Sequence, residues 1–262
     1  MQKILLFDTI SAKSGRIIGS AAYIAAGLVK LGLNSVVFAK ISEENREEIC
    51  GFFTENGVDD EMLFSYEQPR DIDLNGISAV FVTGDFVADE FGFKLVKDLC
   101  QKCESLEIPV IFDPGNNGGS KENANETAKN VTVFIPSAED AEKLCGLTET
   151  EKIAEHYLSL GARKIVVTLD KQGAFYKSRV ESGTAPTFRA DKVVDTTGAG
   201  DAFAAGLISG IAEELPLSEA VVRANACGCM AIQHEGLYMP DSDTLREYML
   251  SHRFVVDGCK DY

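Results

Sequence analysis

Short apolar runs that resemble buried strands alternate with longer amphipathic stretches over most of the chain. The apolar runs predict strands at residues 4–7, 35–39, 79–83, 109–113, 131–135 and 164–168. The stretches between them predict helices at residues 20–31, 43–56, 89–105, 123–129 and 149–160. Alternation of this kind predicts an α/β fold, in which helices cover both faces of a mainly parallel sheet.

The pattern changes after Thr168. Residues 173–177 and 180–184, separated by Ser178 and Arg179, predict an antiparallel hairpin on the edge of the sheet. Beyond Gly198 the pattern is helical, and helices are predicted at residues 199–213, 218–233 and 241–250. No repeat, linker or low-complexity segment interrupts the chain, so we predict a single domain over residues 1–262.

The net charge of −16 disfavours nucleic acid and anionic membranes as partners. No apolar run approaches the ~20 residues that span a bilayer. The first eight residues are typical of a buried strand and too short for a signal peptide, so we expect a cytoplasmic protein. Cys100 and Cys103 form a Cys-x-x-Cys pair within a helical pattern, without a second pair at zinc spacing, and predict buried thiols.

The stretch at residues 194–206, Val-Asp-Thr-Thr-Gly-Ala-Gly-Asp-Ala-Phe-Ala-Ala-Gly, places a glycine-bearing turn directly before a helix. Amides at a helix N-terminus have no intrahelical partner and suit an anion such as phosphate. Gly198 and Gly200 allow close backbone approach. The carboxylate of Asp201 would repel a phosphate. This indicates that Asp201 acts on a second substrate, for example by taking a proton from a hydroxyl. The alternative is structural, because an acid in a first helical turn is favourable on dipole grounds alone.

Ligands of mainly parallel sheets bind beyond the carboxyl ends of the strands. This rule places several polar and glycine residues around one crevice: Asp8, Gly84, Asp113, Ser137, Asp170 and the turn at residues 198–201. Such a crevice fits a two-substrate enzyme. Asp8 is a candidate to bind acceptor hydroxyls because a carboxylate accepts several hydrogen bonds, although a solvated loop acid is an equal alternative.

The string at residues 194–206 resembles the carboxy-terminal signature of the ribokinase-like (PfkB) sugar and nucleoside kinases. The resemblance implies a three-layer αβα sandwich that transfers the γ-phosphoryl group of ATP to a hydroxyl of a sugar or sugar-like molecule. It also implies that Asp201 is the catalytic base. The amides of Gly198, Ala199 and Gly200 would then form the anion hole for the transferred phosphate.

Other segments resemble the same family in the expected order. Residues 19–28 are similar to the glycine-rich helix start that holds the sugar, which implies substrate contacts at Gly19, Ser20 and Tyr23, with Gly84 nearby. Residues 166–174 resemble the strand and turn beside the nucleotide, and residues 225–228 resemble the helix that borders the adenine. Together with the turn at residues 198–201, these segments imply ATP contacts from Thr168, Asp170, Gly173, Gly198, Gly200 and Asn225.

The sequence departs from the family pattern at the acceptor side. The family usually has two adjacent glycines and an Asn, where this chain has Ile18, Gly19 and Tyr23, so the acceptor need not be an ordinary pentose or hexose. Residues 9–18 and 66–77 leave little room for the strands that form the family's lid and dimer contact. We therefore expect a reduced or absent lid and a monomer or homodimer. This short form resembles the fructoselysine (fructosamine) kinases.

The cation sites implied by the resemblance are also altered. The family's metal-associated Asn-x-x-Glu corresponds to residues 137–140, where Glu139 and Asp140 supply carboxylates for Mg²⁺, or are simply helix-start acids. Asp195 and Thr197 resemble positions that hold a monovalent cation such as K⁺ in some members. The implied cofactors are therefore ATP and Mg²⁺, with K⁺ in addition if Asp195 and Thr197 bind it.

Three alternatives compete with this interpretation. A dinucleotide-binding oxidoreductase needs Gly-x-Gly-x-x-Gly after the first strand, where this chain offers only Gly15 and Gly19. A non-catalytic relative that binds a metabolite would not need Asp201. A kinase for a nucleoside or vitamin-type alcohol would keep the fold, and Tyr23 would then stack on a flat ring instead of packing in the core.

Overall fold

The computed structural model describes residues 2–65, 72–115 and 120–252. Within these ranges nine strands form one sheet, in the order β11-β10-β9-β8-β7-β6-β1-β4-β5, and β2 pairs with β3 apart from it. The strands are β1 (Lys3–Thr9), β2 (Ser11–Lys13), β3 (Arg16–Ile18), β4 (Asn34–Lys40), β5 (Leu63–Phe64), β6 (Ile77–Thr83), β7 (Val110–Asp113), β8 (Val133–Phe134), β9 (Lys164–Thr168), β10 (Ala174–Ser178) and β11 (Ser182–Ala185).

Helices fill most of the connections between strands. The α-helices in the described ranges are α1 (Ser20–Lys30), α2 (Arg46–Asn56), α3 (Glu90–Ser105), α4 (Lys121–Ala128), α5 (Ala138–Cys145), α6 (Thr150–Leu160), α7 (Ala199–Ala212), α8 (Leu217–Ala231) and α9 (Ser242–Ser251). Every neighbouring pair from β5 to β9 is parallel, whereas β10 and β11 run antiparallel at the edge. The predictions of a mainly parallel sheet and an edge hairpin are confirmed.

The alternating side chains of each strand feed two separate cores. In β1, Ile4 and Leu6 join one core, and Leu5 and Phe7 join the other. The first core packs α1, α2, α7, α8 and α9 on one face of the sheet, and the second packs α3, α4, α5 and α6 on the opposite face. Because successive strand residues point to opposite faces, this period-two pattern produces the predicted three-layer αβα sandwich.

Helix α7 is held against α8 by two close backbone contacts. A Cβ at Gly206 would lie 2.9 Å from the Ala224 Cα, and one at Gly210 would lie 2.8 Å from the Ala220 Cβ. These glycines let the two helices approach more closely than larger residues would permit. The contact matters for function, because it fixes the direction in which the first turn of α7 points.

Several elements differ from the sequence predictions. The strands β2 and β3 and the short β5 were not predicted, because two or three residues carry too little periodicity to read. The predicted helix at residues 43–56 begins as a 3₁₀ turn over Glu43–Asn45 and continues as α2. Helix α5 was not among the predicted helices, although its first residues were considered either as a metal motif or as helix-start acids. It begins where the Ser137 hydroxyl accepts a hydrogen bond from the Asp140 amide, at 3.0 Å.

The structure describes only part of the segments for which we predicted a reduced or absent lid. Residues 9–18, where little room for strands was expected, form the separate hairpin β2–β3, so a complete absence of lid strands is not confirmed. Of the segment at residues 66–77, residues 66–71 lie outside the described ranges. The buried thiols Cys100 and Cys103 on α3 are confirmed, with burial raising their pKa values to about 12 and about 11. None of the helices described is both long and apolar enough to cross a membrane.

Candidate active site

The carboxyl ends of β1, β6 and β7 meet at one edge of the sheet and are joined by direct hydrogen bonds. The Thr83 hydroxyl donates to the Asp8 carboxylate at 2.6 Å, and the Gly84 amide donates to the Asp113 carbonyl at 2.7 Å. A Cβ at Gly84 would lie 1.8 Å from the Pro114 carbonyl oxygen. Gly84 therefore shapes the floor of the crevice by close backbone packing, and it has no side chain with which to bind substrate.

Asp201 lies in the first turn of α7, immediately after Gly198. Gly198 adopts a left-handed conformation with φ of 77°, which turns the chain into the helix. The Asp201 side chain is half-buried, and it hydrogen-bonds with the Ser20 side chain at the start of α1. Desolvation raises its pKa to about 6, and the Ser20 bond opposes that rise. The carboxylate is thus a stronger base than a solvated aspartate, yet it is still mostly ionised at neutral pH.

The backbone amides beside Asp201 are available to an anion. The Ala199 amide makes a long hydrogen bond of 3.3 Å to the Thr196 carbonyl, whereas the Gly200 and Asp201 amides find no acceptor within the described residues. A Cβ built on Gly200 would meet nothing within 4 Å. One at Gly198 would lie 2.3 Å from the Leu237 side chain. The open side of the turn is therefore at Gly200, where a ligand could reach the amides.

Carboxylates accumulate around this turn. Asp113 is half-buried with its pKa raised to about 7, first by desolvation and then by the charges of Asp201, Asp140 and Asp8. Burial likewise raises the pKa of Asp8 to about 7. Negative charges near a buried carboxyl group favour its protonated form. The structure thus brings four acids from distant parts of the chain to one site.

Asp8 is committed to internal hydrogen bonds. Its side chain is 1% exposed and accepts from the Thr9 amide at 2.8 Å and from the Ala21 amide at 2.9 Å, in addition to the Thr83 hydroxyl. The Ala21 bond satisfies a free amide at the start of α1. Gly19 belongs to the same arrangement, since a Cβ there would lie 3.1 Å from Asp8. Asp8 therefore positions the start of α1, and its binding of acceptor hydroxyls stays a prediction.

Tyr23 lines a cavity next to Asp201. The Tyr23 hydroxyl donates to the Ile17 carbonyl at 2.6 Å, and its ring packs edge-on against Phe52, with ring centroids 5.4 Å apart. The cavity has a volume of about 160 Å³ and is also lined by Gly198 and Tyr238. Tyr23 therefore packs against the protein and also lines the cavity, whereas its stacking on a flat ring of an acceptor stays a prediction.

The two predicted magnesium ligands have different environments. Glu139 is exposed and pairs with Lys143 at 2.8 Å. Asp140 is buried, and one of its oxygens accepts from the Ser137 hydroxyl. Its other oxygen, Oδ1, has no hydrogen-bond partner, and the Lys143 Nζ is 3.9 Å away. A buried carboxylate oxygen without a hydrogen bond fits a cation ligand, so Asp140 fits Mg²⁺ better than Glu139 does.

Asp195 and Thr197, predicted to hold a monovalent cation, form part of a tight loop. The two oxygens of Asp195 accept from the Thr197 amide at 2.9 Å and from the Gly236 amide at 3.0 Å. These amides hold the pKa of Asp195 below its usual value, the Thr197 bond being the largest cause. Asp195 thereby ties the segment before α7 to the loop after α8, and it retains free lone pairs for a cation.

The predicted nucleotide residues lie around the end of β9 and the edge hairpin. Thr168 ends β9, and Asp170 opens the following turn with a positive φ of 52°. A Cβ at Gly173 would lie 2.2 Å from the Ala185 carbonyl oxygen, so Gly173 is required for packing. Asn225 is buried, and its side chain donates to that same carbonyl at 2.8 Å. Asn225 therefore supports the wall of the predicted nucleotide site through its side-chain NH2 group, and its contact with ATP stays a prediction.

The sequence interpretation missed Arg16. This residue lies on β3, and its side chain hydrogen-bonds with Tyr23 and is close enough to Asp195 to lower that residue's pKa. A signal was present in the sequence, because Lys13 and Arg16 flank a Ser-Gly turn in a strongly acidic chain. Because the hairpin β2–β3 was not predicted, however, the sequence did not indicate that this turn lies near the site.

Comparison with known proteins gives consistent results. The family model described as pfkB family carbohydrate kinase matches residues 34–244. The 2-dehydro-3-deoxygluconokinase of Bacillus subtilis is 37% identical over 140 residues, which are 53% of this chain and 43% of that protein. The ATP-dependent 6-phosphofructokinase of Thermoanaerobacterium thermosaccharolyticum is 32% identical over 162 residues, which are 58% and 49% of the two chains. The aligned part of the chain thus spans about half the length of these curated relatives.

Solved structures match over nearly the whole chain. A putative ribokinase from Agrobacterium tumefaciens superimposes with a TM-score of 0.80 at 16% identity, covering 95% of this chain and 97% of that one. Aminoimidazole riboside kinase from Salmonella enterica, complexed with aminoimidazole riboside and an ATP analog, gives a TM-score of 0.75 at 20% identity, covering 95% and 100%. At these identities the likeness shows the fold, which is ribokinase-like.

Proposed function

Since this chain belongs to the pfkB family of carbohydrate kinases, we propose that it transfers the γ-phosphoryl group of ATP to a hydroxyl of a sugar or sugar-like small molecule. The observation that carries the proposal is the first turn of α7. There Asp201, with its pKa raised to about 6, lies beside the free amides of Gly200 and Asp201. A base and an anion-binding turn in one place are what phosphoryl transfer to an alcohol requires. The kinases named among the relatives support the same reaction.

Asp201 acts as the base in this proposal. As the acceptor oxygen attacks the γ-phosphorus, its proton passes to the Asp201 carboxylate. The transition state of phosphoryl transfer is loose, so the bond to the attacking oxygen forms late and a moderately strong base suffices. The hydrogen bond with the Ser20 side chain stabilises the ionised form of the Asp201 carboxylate.

The amides of Gly200 and Asp201 stabilise the charge on the transferred group. Preorganised donors in a water-poor site act strongly because they do not reorganise as charge develops. The positive end of the α7 dipole adds to their effect. Gly198 contributes the turn that aims both amides at the crevice. We keep Ala199 in the anion hole with a weaker contribution, since its amide already has a long bond to Thr196.

Asp140 is our candidate ligand for Mg²⁺, oriented by its hydrogen bond with Ser137. When bound, Mg²⁺ neutralises charge on the ATP phosphates. In the described residues no group of three or more acidic, His or Cys side chains forms a metal cage. Mg²⁺ does not need such a cage, because it keeps several waters and binds through one or two carboxylates and the substrate phosphates. Asp195 and Thr197 stay our proposed site for a monovalent cation.

The cavity beside Asp201 supports a second candidate function within the same reaction. Its walls include the aromatic side chains of Tyr23, Phe52 and Tyr238. Aromatic faces stack well on flat rings, which favours a nucleoside or a vitamin-type alcohol as an alternative acceptor. Both candidates place the reacting hydroxyl at Asp201 and differ only in what fills the cavity.

The test measures ADP release from Mg²⁺-ATP across simple sugars, fructosamines, nucleosides and vitamin-type alcohols. We expect one class to stimulate turnover strongly, and Asp201→Asn to lower kcat by about 10²- to 10⁴-fold, the range of general-base catalysis. ATP affinity, measured by calorimetry, should change less than about twofold, because Asp201 contacts the acceptor. An Asp201→Asn enzyme with wild-type kcat would exclude Asp201 as the base. ATP binding without turnover on any acceptor would favour a non-catalytic, metabolite-binding relative.

A further inference from the structure

Thr83 is a buried polar residue at the end of an apolar strand. It ends β6, it follows the buried apolar residues 79–82, and it is 7% exposed. A valine at this position would bury no hydroxyl, whereas a buried threonine needs a hydrogen-bond partner to offset the cost of leaving water. The partner of the Thr83 hydroxyl therefore indicates what this residue does at the carboxyl end of the sheet.

The Thr83 hydroxyl directs its proton to Asp8. A hydroxyl has one proton to donate, and two acceptors lie within reach: the Asp8 carboxylate at 2.6 Å and the Phe7 carbonyl at 3.3 Å. The shorter contact has the length of a charge-assisted O–H···O⁻ bond. The Phe86 amide donates to the Thr83 oxygen at 3.3 Å, which leaves the hydroxyl proton for the carboxylate. Thr83 thus fixes the orientation of Asp8 from the neighbouring strand.

Asp8 in turn takes the place of an N-cap side chain for α1. The N-cap residue is Gly19, which has no side chain to bind the free amides of the first turn. A Cβ at Gly19 would lie 2.9 Å from the Ile10 side chain and 3.1 Å from the Asp8 carboxylate, so a larger residue does not fit there. The Ala21 amide instead donates to Asp8 at 2.9 Å. The first turn of α1 is therefore tied to the sheet through Asp8.

This end of α1 faces the proposed base on α7. Tyr23, which lies one turn into α1, lines the same cavity as Asp201 and Gly198. The substrate contacts that the sequence predicts at Gly19, Ser20 and Tyr23 all lie at this end of the helix. A displacement of about 1 Å in a positioning element can cost about 100-fold in rate. The position of the first turn of α1 therefore controls how an acceptor hydroxyl is placed against the Asp201 carboxylate.

We propose that Thr83 is a positioning residue for the acceptor side of the site: it orients Asp8, and Asp8 holds the first turn of α1 in place relative to Asp201. This inference rests on the proposed kinase function. In this arrangement Thr83 contacts neither substrate and acts only through Asp8. The contacts run from β6 to β1 and from β1 to α1, and the hydroxyl of Thr83 is the first of them.

The kinetic test compares Thr83→Val with Thr83→Ser at pH 8, where Asp8, with its pKa raised to about 7, is mostly ionised. The assay is ADP release from Mg²⁺-ATP with the acceptor of the panel that gives the highest turnover. Thr83→Val should lower kcat/KM for this acceptor by about 10- to 100-fold, as expected for a lost charge-assisted bond. The KM for ATP should change less than about twofold. Thr83→Ser keeps the hydroxyl and should stay within about threefold of the wild type.

Thr127→Val is the matched control, because Thr127 is also buried and its hydroxyl has no hydrogen-bond partner among the described residues. It should leave kcat/KM unchanged within about twofold. A second readout, amide hydrogen exchange, needs no acceptor: Thr83→Val should speed exchange at the Ala21 amide by at least about tenfold, and Thr127→Val should not. Because Thr83 acts through Asp8, adding Thr83→Val to Asp8→Ala should change kcat/KM less than about threefold.

Several results would overturn the inference. Unchanged kcat/KM or unchanged Ala21 exchange in Thr83→Val would do so, as would an equal loss of kcat/KM in Thr127→Val. Thr83→Ala, which also lacks the hydroxyl, gives the same test if Thr83→Val does not fold. Fully multiplied losses in the double variant would show that Thr83 acts independently of Asp8. In each of these cases Asp201-dependent turnover persists, so the kinase function stands. Absence of turnover with every acceptor would mean that the kinase function itself fails, and the Thr83 inference with it.

Discussion

The substitution Gly200→Ala should separate stability from activity at the proposed anion hole. A Cβ at this position meets nothing within 4 Å, and Gly200 is exposed with a helical backbone, so the substitution introduces no clash. Replacing Gly by Ala within a helix stabilises it by up to about 1 kcal/mol, and we take about half of that for a first-turn residue. For a domain of this size, the melting temperature should rise by about 1 to 2 °C.

The same methyl group should impair catalysis. The Cβ of a helical residue tilts towards the helix N-terminus, which is where the transferred phosphoryl group would approach the Gly200 and Asp201 amides. A carbon atom needs about 3.5 Å of separation, whereas the phosphoryl oxygen must come within about 3 Å of an amide nitrogen. Losing one such donor lowers kcat by about 10²- to 10³-fold, so we expect a fall of about 100-fold.

The assays are steady-state ADP release and thermal unfolding, with Gly51→Ala as the control. Gly51 lies on the exposed side of α2, and a Cβ there also meets nothing within 4 Å. Gly51→Ala should raise the melting temperature similarly and leave kcat unchanged. If Gly200→Ala retained kcat within about threefold of the wild type, the phosphoryl group would not approach at Gly200. A fall of several degrees in its melting temperature would contradict the open space inferred there.

Two further predictions concern ionisation and the metal. The pKa of Asp201 is raised to about 6, and the base must be ionised, so kcat/KM should fall as the pH drops through about 6. A kcat/KM that stays constant down to pH 5 would argue against Asp201 as the base. Asp140→Asn should raise the Mg²⁺ concentration needed for half-maximal rate by at least about tenfold. Glu139→Gln breaks only the surface pair with Lys143, so it should leave that concentration unchanged. Equal effects of these two substitutions would remove the distinction that we draw between the carboxylates.

The strands of the sheet could be predicted because their signal is local. Residues 164–168 form a short apolar run that satisfies the strand pattern by itself, and β9 has those bounds. The strands β2 and β3 lack such a signal. They depend on the burial of Ile17 and on the hydrogen bond from Tyr23, which are contacts that exist only after α1 has packed on the sheet.

The same distinction applies to the site. The turn at Gly198 and the acid at Asp201 were recognisable because a glycine turn and the first helical turn are adjacent in sequence. The internal role of Asp8 was not, because its partner Thr83 is 75 residues away. Nor could the sequence distinguish Asp140 from Glu139, since adjacent acids differ only in which of them points into the packed interior.

The burial that makes Asp201 an effective base also shapes the rest of the crevice. Desolvation raises the pKa values of Asp201, Asp113 and Asp8, so these carboxyl groups are closer to neutral than solvated aspartates are. The described ends of β1, β6 and β7 still offer no positive side chain, so the transferred phosphoryl group must find a positive partner on another element. The first turn of α7 supplies it through the amides of Gly200 and Asp201. The base and the anion-binding amides therefore lie on the same helical turn, and Gly200→Ala should lower kcat while the pH dependence set by Asp201 stays the same.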